Sequence, residues 1–192
     1  LEKLNKIGEI LDRGGTISLD VDKISLFTNY KNIDLTGQNL ETLELLEGMK
    51  DLTNLNLNNN QLTLEDEKSQ EILQNMTNLT TLQLSNNKIT NIVAINSLKN
   101  LTALYLTGDD NKVNLKEIED IISNLICIRV SNDSLKTIIN CDINKVTTLN
   151  LVGSSLTEIP NLSRFTRLSN LSLENNPNIS NFNIVSGLTS LE

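Results

Sequence analysis

The sequence predicts an α/β solenoid in which short parallel strands line a concave side and 3₁₀ or short helical segments form the convex side. Three observations carry this prediction. The segment 79–101 begins with strand-like alternation, in which Leu82 and Leu84 face one way and Gln83 and Ser85 the other. It continues with an isoleucine or leucine at every third residue, which suits turns or 3₁₀ structure with one buried side. The same pattern then recurs along most of the chain.

Composition sets the limits of the prediction. The chain has 192 residues, enough for one domain with a sizeable core. Aromatic residues make up only 3% and tryptophan and histidine are absent, so leucine and isoleucine must form the core. The net charge is −8 without a basic stripe, which argues against binding nucleic acid or an anionic membrane surface. No apolar run reaches about 18 residues, so the sequence predicts no membrane insertion.

The first 28 residues do not match the repeat. Residues 1–13 predict an amphipathic helix with Leu4, Ile7 and Leu11 on one face, and the glycine pair 14–15 ends it. Looser alternation follows up to residue 28. We therefore expect an N-terminal helical or strand cap over residues 1–28, because an array of repeats needs its open end covered, and repeats over residues 29–192.

The repeat aligns on the pattern Leu-x-x-Leu-x-Leu-x-x-Asn-x-Leu, with seven full copies and a truncated eighth that starts at Leu188. Equivalent strand positions are residues 33, 55, 82, 104, 128, 149 and 171, with spacings of 22, 27, 22, 24, 21 and 22. Two copies are longer on the convex side. Capping boxes at Thr63 and Asn114 predict helices that end near Asn75 and Ser123. The eighth copy stops inside its strand, so we expect further repeats or a cap beyond it, end-to-end packing, or a frayed terminus.

The ninth position of each copy falls where the chain leaves its strand and turns inward. Backbone groups buried there lack partners in the sheet, so a side chain that both donates and accepts hydrogen bonds is needed. The sequence predicts a structural ladder at this position, formed by Gln38, Asn60, Asn87, Asp109, Asp133, Ser154 and Asn176. We expect the ladder to be weaker in copies four to six, where aspartate and serine replace asparagine.

These repeats resemble the leucine-rich repeat family. The three-residue spacing after the asparagine resembles the subclass with 22-residue repeats found in bacterial internalin-type proteins and in a phosphatase regulatory subunit. The resemblance implies a right-handed solenoid from a secreted or cell-surface bacterial protein, which binds another protein for adhesion or scaffolding. Two alternatives remain open. One is an intracellular, cytoplasmic regulatory subunit that docks on an enzyme such as a phosphatase, and the other is the non-catalytic recognition part of a larger enzyme.

The sequence offers little support for catalysis. It contains no histidine, and neither Cys127 nor Cys141 has a partner base by motif, so we predict no enzyme activity and no catalytic residues. Carboxylates cluster at residues 65–67, 109–110 and 117–120, but they lack the spacing of a calcium loop and are better explained as solvated charges. No metal or cofactor is therefore predicted. The alignment puts Cys127 on the concave face and Cys141 in the convex arc, so a disulfide between them is not expected.

Strand alternation identifies the side chains of the concave surface, most of which are small and uncharged. The exception is the centre, where Tyr105 and Arg129 are lateral neighbours on adjacent strands. These residue types often anchor interfaces, although they could also simply stack on each other. The candidate protein-binding surface comprises Gln83, Tyr105, Cys127, Arg129, Asn150 and Val152.

Overall fold

The computed structural model describes residues 30–108, 110–131, 134, 136–137, 142–159, 161–181 and 188–191. Within them, one sheet contains seven parallel strands in chain order. The strands are β1 (Asn32–Asp34), β2 (Asn54–Asn56), β3 (Thr81–Gln83), β4 (Ala103–Leu106), β5 (Cys127–Val130), β6 (Thr148–Asn150) and β7 (Asn170–Ser172). The solenoid and all seven predicted strand positions are confirmed. The predicted N-terminal cap lies outside the described residues, as does Cys141.

The core lies between the sheet and the convex segments and runs continuously through the repeats. The inward residue of each strand stacks on its equivalent in the next repeat, as in the pairs Leu55–Leu82 and Leu104–Ile128. These four side chains are at most 1% exposed. Each such side chain contributes roughly 1.5–3 kcal/mol by leaving water. A single repeat could bury none of this surface alone, which is why the copies fold as a stack.

The convex side consists of short segments whose apolar positions face the same core. In the part of the chain that the structure describes, 3₁₀ segments occur at Glu44–Leu46, Val93–Ser97 and Leu115–Ile118. Two α-helices, α1 (Glu67–Asn75) and α2 (Glu119–Ile122), occupy the two longer repeats. The apolar residues of these two longer repeats are buried on the convex side of the core: Ile72, Leu73, Met76, Ile118, Ile121 and Ile122.

Both longer repeats start their helices later than the sequence predicted. The predicted capping box at Thr63 is wrong, because Asp66 caps α1 by accepting a hydrogen bond from the Ser69 backbone at 2.6 Å. Leu64 explains the difference: it is 1% exposed and adopts φ +59°, which no α-helix can contain. In the other repeat, Asn114 does cap a segment, but that segment is a 3₁₀ turn preceding α2.

Asparagine side chains tie consecutive repeats together behind the strand ends. Asn60 is 3% exposed, and its Nδ2 donates to the carbonyls of Leu35 and Leu57, both at 2.9 Å. Its Oδ1 accepts from the backbone N–H of Gln38 at 2.9 Å and of Leu40 at 3.0 Å. One side chain therefore bonds at least four backbone groups, three of them in the preceding repeat.

Asn87 and Asn176 make the equivalent bonds in their repeats. Ser154 makes fewer: its Oγ donates to the Val130 carbonyl at 2.9 Å. Gln38 Nε2 donates to the Thr36 carbonyl at 3.0 Å. The asparagines at this position thus cross-link the repeats more extensively than the serine does.

The fourth repeat corrects the predicted ladder. Asn111, not Asp109, makes the bonds of this position: its Nδ2 donates to the Leu84 carbonyl and its Oδ1 accepts from the Ile89 backbone, both at 2.9 Å. Two extra residues therefore separate the strand from the inward turn in this repeat. Asp109 itself lies outside the described residues, as does Asp133.

A second asparagine accounts for part of the unusual asparagine content. Asn59, Asn86 and Asn175 each precede a ladder asparagine and have φ of 58°, 55° and 56°. Asparagine tolerates this left-handed conformation better than most residues do. The first asparagine of each pair therefore turns the chain, and the second forms hydrogen bonds with the backbone groups that the turn exposes.

Candidate protein-binding surface

Parallel pairing without slippage brings equivalent residues of the seven repeats into columns on the concave face. The first column runs through Asn32, Asn54, Thr81, Ala103, Cys127, Thr148 and Asn170, and the middle column through Asp34, Asn56, Gln83, Tyr105, Arg129, Asn150 and Ser172. Neighbouring members of a column lie about 4.8 Å apart, so a ligand on this face would contact several repeats at once.

The first three repeats satisfy their concave polar groups among themselves. Asn56 Nδ2 donates to Asp34 Oδ2 at 3.1 Å, and Asn58 Nδ2 donates to Gln83 Oε1 at 3.0 Å. Asn58 Oδ1 accepts from the Ser85 backbone at 2.8 Å. A partner would have to break these bonds to use the groups, so the side chains of Asn56 and Asn58 and the Gln83 oxygen offer little binding energy.

The centre of the face is built differently. Tyr105 and Arg129 are Cα partners on β4 and β5, and Gln83 pairs with Tyr105 on the other side. Tyr105 Oη and Cys127 Sγ are joined by a side-chain hydrogen bond at 3.6 Å. Arg129 Nε is shielded from solvent and has no hydrogen-bond partner among the described residues. Tyr105 is therefore held against Cys127, while Arg129 keeps a free donor.

The other two predicted site residues border this centre on β6 and just beyond it. Asn150 is the Cα partner of Arg129. Its Oδ1 accepts from the Val152 backbone at 3.1 Å, which turns the amide along its own strand. Val152 is partly exposed, so it provides an apolar margin next to the Arg129 column.

The contact with Cys127 changes the acidity of Tyr105. It raises the pKa of Tyr105 from its ordinary 10.0 to about 12, helped by burial of the phenol and opposed by the charge of Arg129. Because the folded pKa lies above the unfolded one, the neutral phenol favours folding fully below about pH 10, and this contribution is lost as the pH rises towards about 12.

Alkaline titration tests this contact. In a Tyr30→Phe variant, which leaves Tyr105 as the single tyrosine, we expect phenolate absorbance with a midpoint near pH 12. Adding Cys127→Ala should lower that midpoint towards 10, because the main cause of the shift is gone. Circular dichroism at each pH confirms that the folded state is being titrated. An unchanged midpoint would show that the two side chains do not interact.

One exposed residue beside the centre was missed by the sequence reasoning. Ile126 directly precedes β5 and is 45% exposed. Most other repeats carry threonine or serine at the same position, and comparing the copies column by column could have shown the exception.

Other classes of site find no support in the described part of the chain. No group of three or more histidine, cysteine, aspartate or glutamate residues there could hold a metal ion. None of its helices has the length and apolar character that crossing a bilayer requires.

Comparison with known proteins agrees with this architecture. Residues 67–111 match the leucine rich repeat family model. A search of curated proteins gives no match. Among solved structures, the chain is similar to the internalin inlF from Listeria monocytogenes, with 24% identity, a TM-score of 0.64, and coverage of 90% of this chain and 48% of that chain.

The chain is also similar to internalin C2 (inlC2) from the same organism, with 20% identity, a TM-score of 0.59, and coverage of 87% of this chain and 81% of that chain. It spans about half the length of the inlF structure. Repeats, register, asparagine ladder and comparisons agree: residues 67–111 match the leucine rich repeat model, and the chain has a solenoid fold similar to that of the internalin structures.

Proposed function

We propose that this chain is a non-catalytic protein-recognition module whose partner binds at the centre of the concave face. The proposal rests on a difference between the first three repeats and the centre of the concave face. The first three repeats satisfy their own polar groups, whereas the centre presents an aromatic ring beside an arginine with an unpaired donor. The proposed binding surface comprises Gln83, Tyr105, Cys127, Arg129, Asn150 and Val152.

Rigid support of these side chains favours binding. Tyr105 and Arg129 stand on strands whose inward neighbours Leu104 and Ile128 are fully buried, so the backbone beneath them cannot shift without disturbing the core. Tyr105 is further held by Cys127. Anchors that are already ordered lose little conformational entropy when a partner arrives, which leaves more of the contact energy as affinity.

The likeness to internalins supports a bacterial protein that is secreted or attached to the cell surface and contacts host or neighbouring proteins. We propose this location for the present chain. An intracellular regulatory subunit would use the same face, so the source of the captured partner distinguishes the two roles.

Site-specific photo-cross-linking tests the proposal. A benzophenone side chain at Thr148, the lateral neighbour of Cys127, should cross-link a protein from host-cell surface extracts, whereas one at Lys116 on the convex side should not. The same experiment with bacterial cytosol tests the intracellular alternative. Cross-linking from Lys116 alone would place the binding surface on the convex side and contradict the proposal.

Alanine substitutions then test the anchors. With the captured protein, we expect Tyr105→Ala and Arg129→Ala each to weaken binding at least ten-fold, on the order of what interface anchors lose. Lys116→Ala, which removes an exposed convex charge, should leave the affinity unchanged. Unchanged binding by both concave variants would remove the proposed surface, and turnover of a substrate by the isolated chain would contradict the non-catalytic role.

A further inference from the structure

Hydroxyl side chains form a regular column immediately before the strands. Thr53 Oγ1 donates to the Lys31 carbonyl at 2.9 Å, Thr80 Oγ1 to the Thr53 carbonyl at 3.0 Å, and Thr102 Oγ1 to the Thr80 carbonyl at 3.2 Å. Ser169 continues the pattern on the Thr147 carbonyl at 3.4 Å. Each bond links one repeat to the preceding one, so the column contributes to the fold.

Ile126 interrupts this column. The Thr102 carbonyl there receives backbone donors, from Ile126 at 2.8 Å and Cys127 at 3.1 Å, since isoleucine has no hydroxyl to add. The Ile126 side chain is 45% exposed. Compared with the threonine at this position in other repeats, isoleucine therefore lacks the hydrogen bond between repeats and exposes an aliphatic group to water. The exposed part of Ile126 is therefore available for an apolar contact with a partner.

Arg129 lies on β5, three residues after Ile126 and about 10 Å away along the extended chain. No ion pair in the described part of the chain involves Arg129, and its buried Nε has no hydrogen-bond partner there. A guanidinium without an ion-pair partner is suited to hold a carboxylate through two parallel hydrogen bonds from its terminal Nη groups, which does not require the shielded Nε.

In the described part of the chain, no carboxylate forms an ion pair with this guanidinium. In the middle column the other charged residue is Asp34, four strands away on β1 and therefore at a distance of about 19 Å. The acidic residues of α1 and α2 belong to the convex side. An incoming carboxylate at Arg129 therefore meets no like charge in the middle column closer than Asp34.

We infer that the centre of the concave face recognises an extended protein segment carrying an acidic side chain for Arg129 and a large apolar side chain for Ile126. Tyr105 and Cys127 form the floor between the two. The inference rests on the proposed function and adds the chemistry of the partner. The two recognised groups are separated by about 10 Å, or about three residues of extended chain.

Selection from a displayed library of random linear peptides tests this chemistry. On the wild-type chain we expect enrichment of aspartate or glutamate with a large apolar residue about three positions away. Arg129→Glu should lower the affinity of selected peptides at least about 30-fold, and Ile126→Thr about 5- to 30-fold. Ile126→Thr should preserve the fold, because most repeats carry threonine at this position. Lys116→Glu makes the same change in net charge on the convex side and should have no effect.

The outcomes separate the inference from the proposed function. Peptides that bind through Tyr105 but lack an acidic residue, or that tolerate Arg129→Glu, would overturn the inferred chemistry and leave the concave binding surface standing. Peptides whose affinity is unaffected by Tyr105→Ala, Arg129→Glu and Ile126→Thr would overturn both. Thermal melts of each variant exclude loss of fold as the cause of lost binding.

Discussion

Replacing Asn87 by alanine is expected to lower the free energy of unfolding by about 3 kcal/mol. The side chain is 2% exposed, and its Nδ2 donates to the carbonyls of Leu57 at 2.9 Å and Leu84 at 3.0 Å. Its Oδ1 accepts from the Leu62 backbone at 3.1 Å. Alanine would leave these backbone groups buried without partners, in two adjacent repeats at once. Urea denaturation measures the change, and a thermal melt should fall by about 6–12 °C.

Two comparison variants isolate the cause. Asn100→Ala removes one exposed bond, from Nδ2 to the Thr77 carbonyl at 2.9 Å, and should cost less than about 1 kcal/mol. Asn87→Asp keeps the size of the side chain but replaces the donor by an acceptor that faces carbonyls. It should be at least as destabilising as Asn87→Ala. An aspartate variant as stable as the wild type would show that the donated hydrogen bonds are not what the position needs.

Gly108→Ala is expected to destabilise the chain by about 2–4 kcal/mol. Gly108 has φ +116°, in a region that favours glycine, and a Cβ there would lie 2.8 Å from both the backbone nitrogen and Oδ1 of Asn86. The backbone of Asn86 cannot move aside, because its N–H donates to the Thr107 carbonyl at 2.7 Å. The variant therefore combines backbone strain with a clash between repeats.

Gly153→Ala is the matched control for this effect. Gly153 has φ +61° with no atom within 4 Å of the built Cβ, so it carries the conformational cost of about 1–2 kcal/mol without the clash. Urea denaturation of both variants should show the larger loss for Gly108→Ala. Equal losses would mean that the close approach to Asn86 is relieved at no cost.

Strand positions and register could be read from the sequence because both depend on a local signal that recurs. In each copy, leucine alternates with polar residues, and only one register brings all the apolar side chains to the core. Cys127, Arg129 and Val152 were assigned to the concave face by this alternation alone. The structure places Cys127 and Arg129 in the expected columns.

Insertions within a repeat made the predicted positions wrong in two places. Counting nine positions from Leu101 leads to Asp109, yet Asn111 reaches the buried carbonyl of Leu84. The start of α1 was predicted too early for a related reason. Leu64 is buried in the core and adopts a left-handed backbone conformation where the capping box was expected. In both cases the sequence of one repeat could be aligned on the repeat pattern in two ways, and only one alignment agrees with the contacts to the neighbouring repeat.

The sequence by itself determined the solenoid, the strand columns and the identity of the side chains on each face, because periodicity encodes which side of a strand a residue occupies. Only the tertiary structure decided which of those side chains find partners. Asn56 and Asn58 are satisfied by neighbours 22 and 25 residues away, and Tyr105 is held by Cys127, 22 residues away, whereas Arg129 Nε remains unpaired among the described residues. Such bonds depend on side-chain length and orientation across adjacent repeats, which no pattern within one repeat contains.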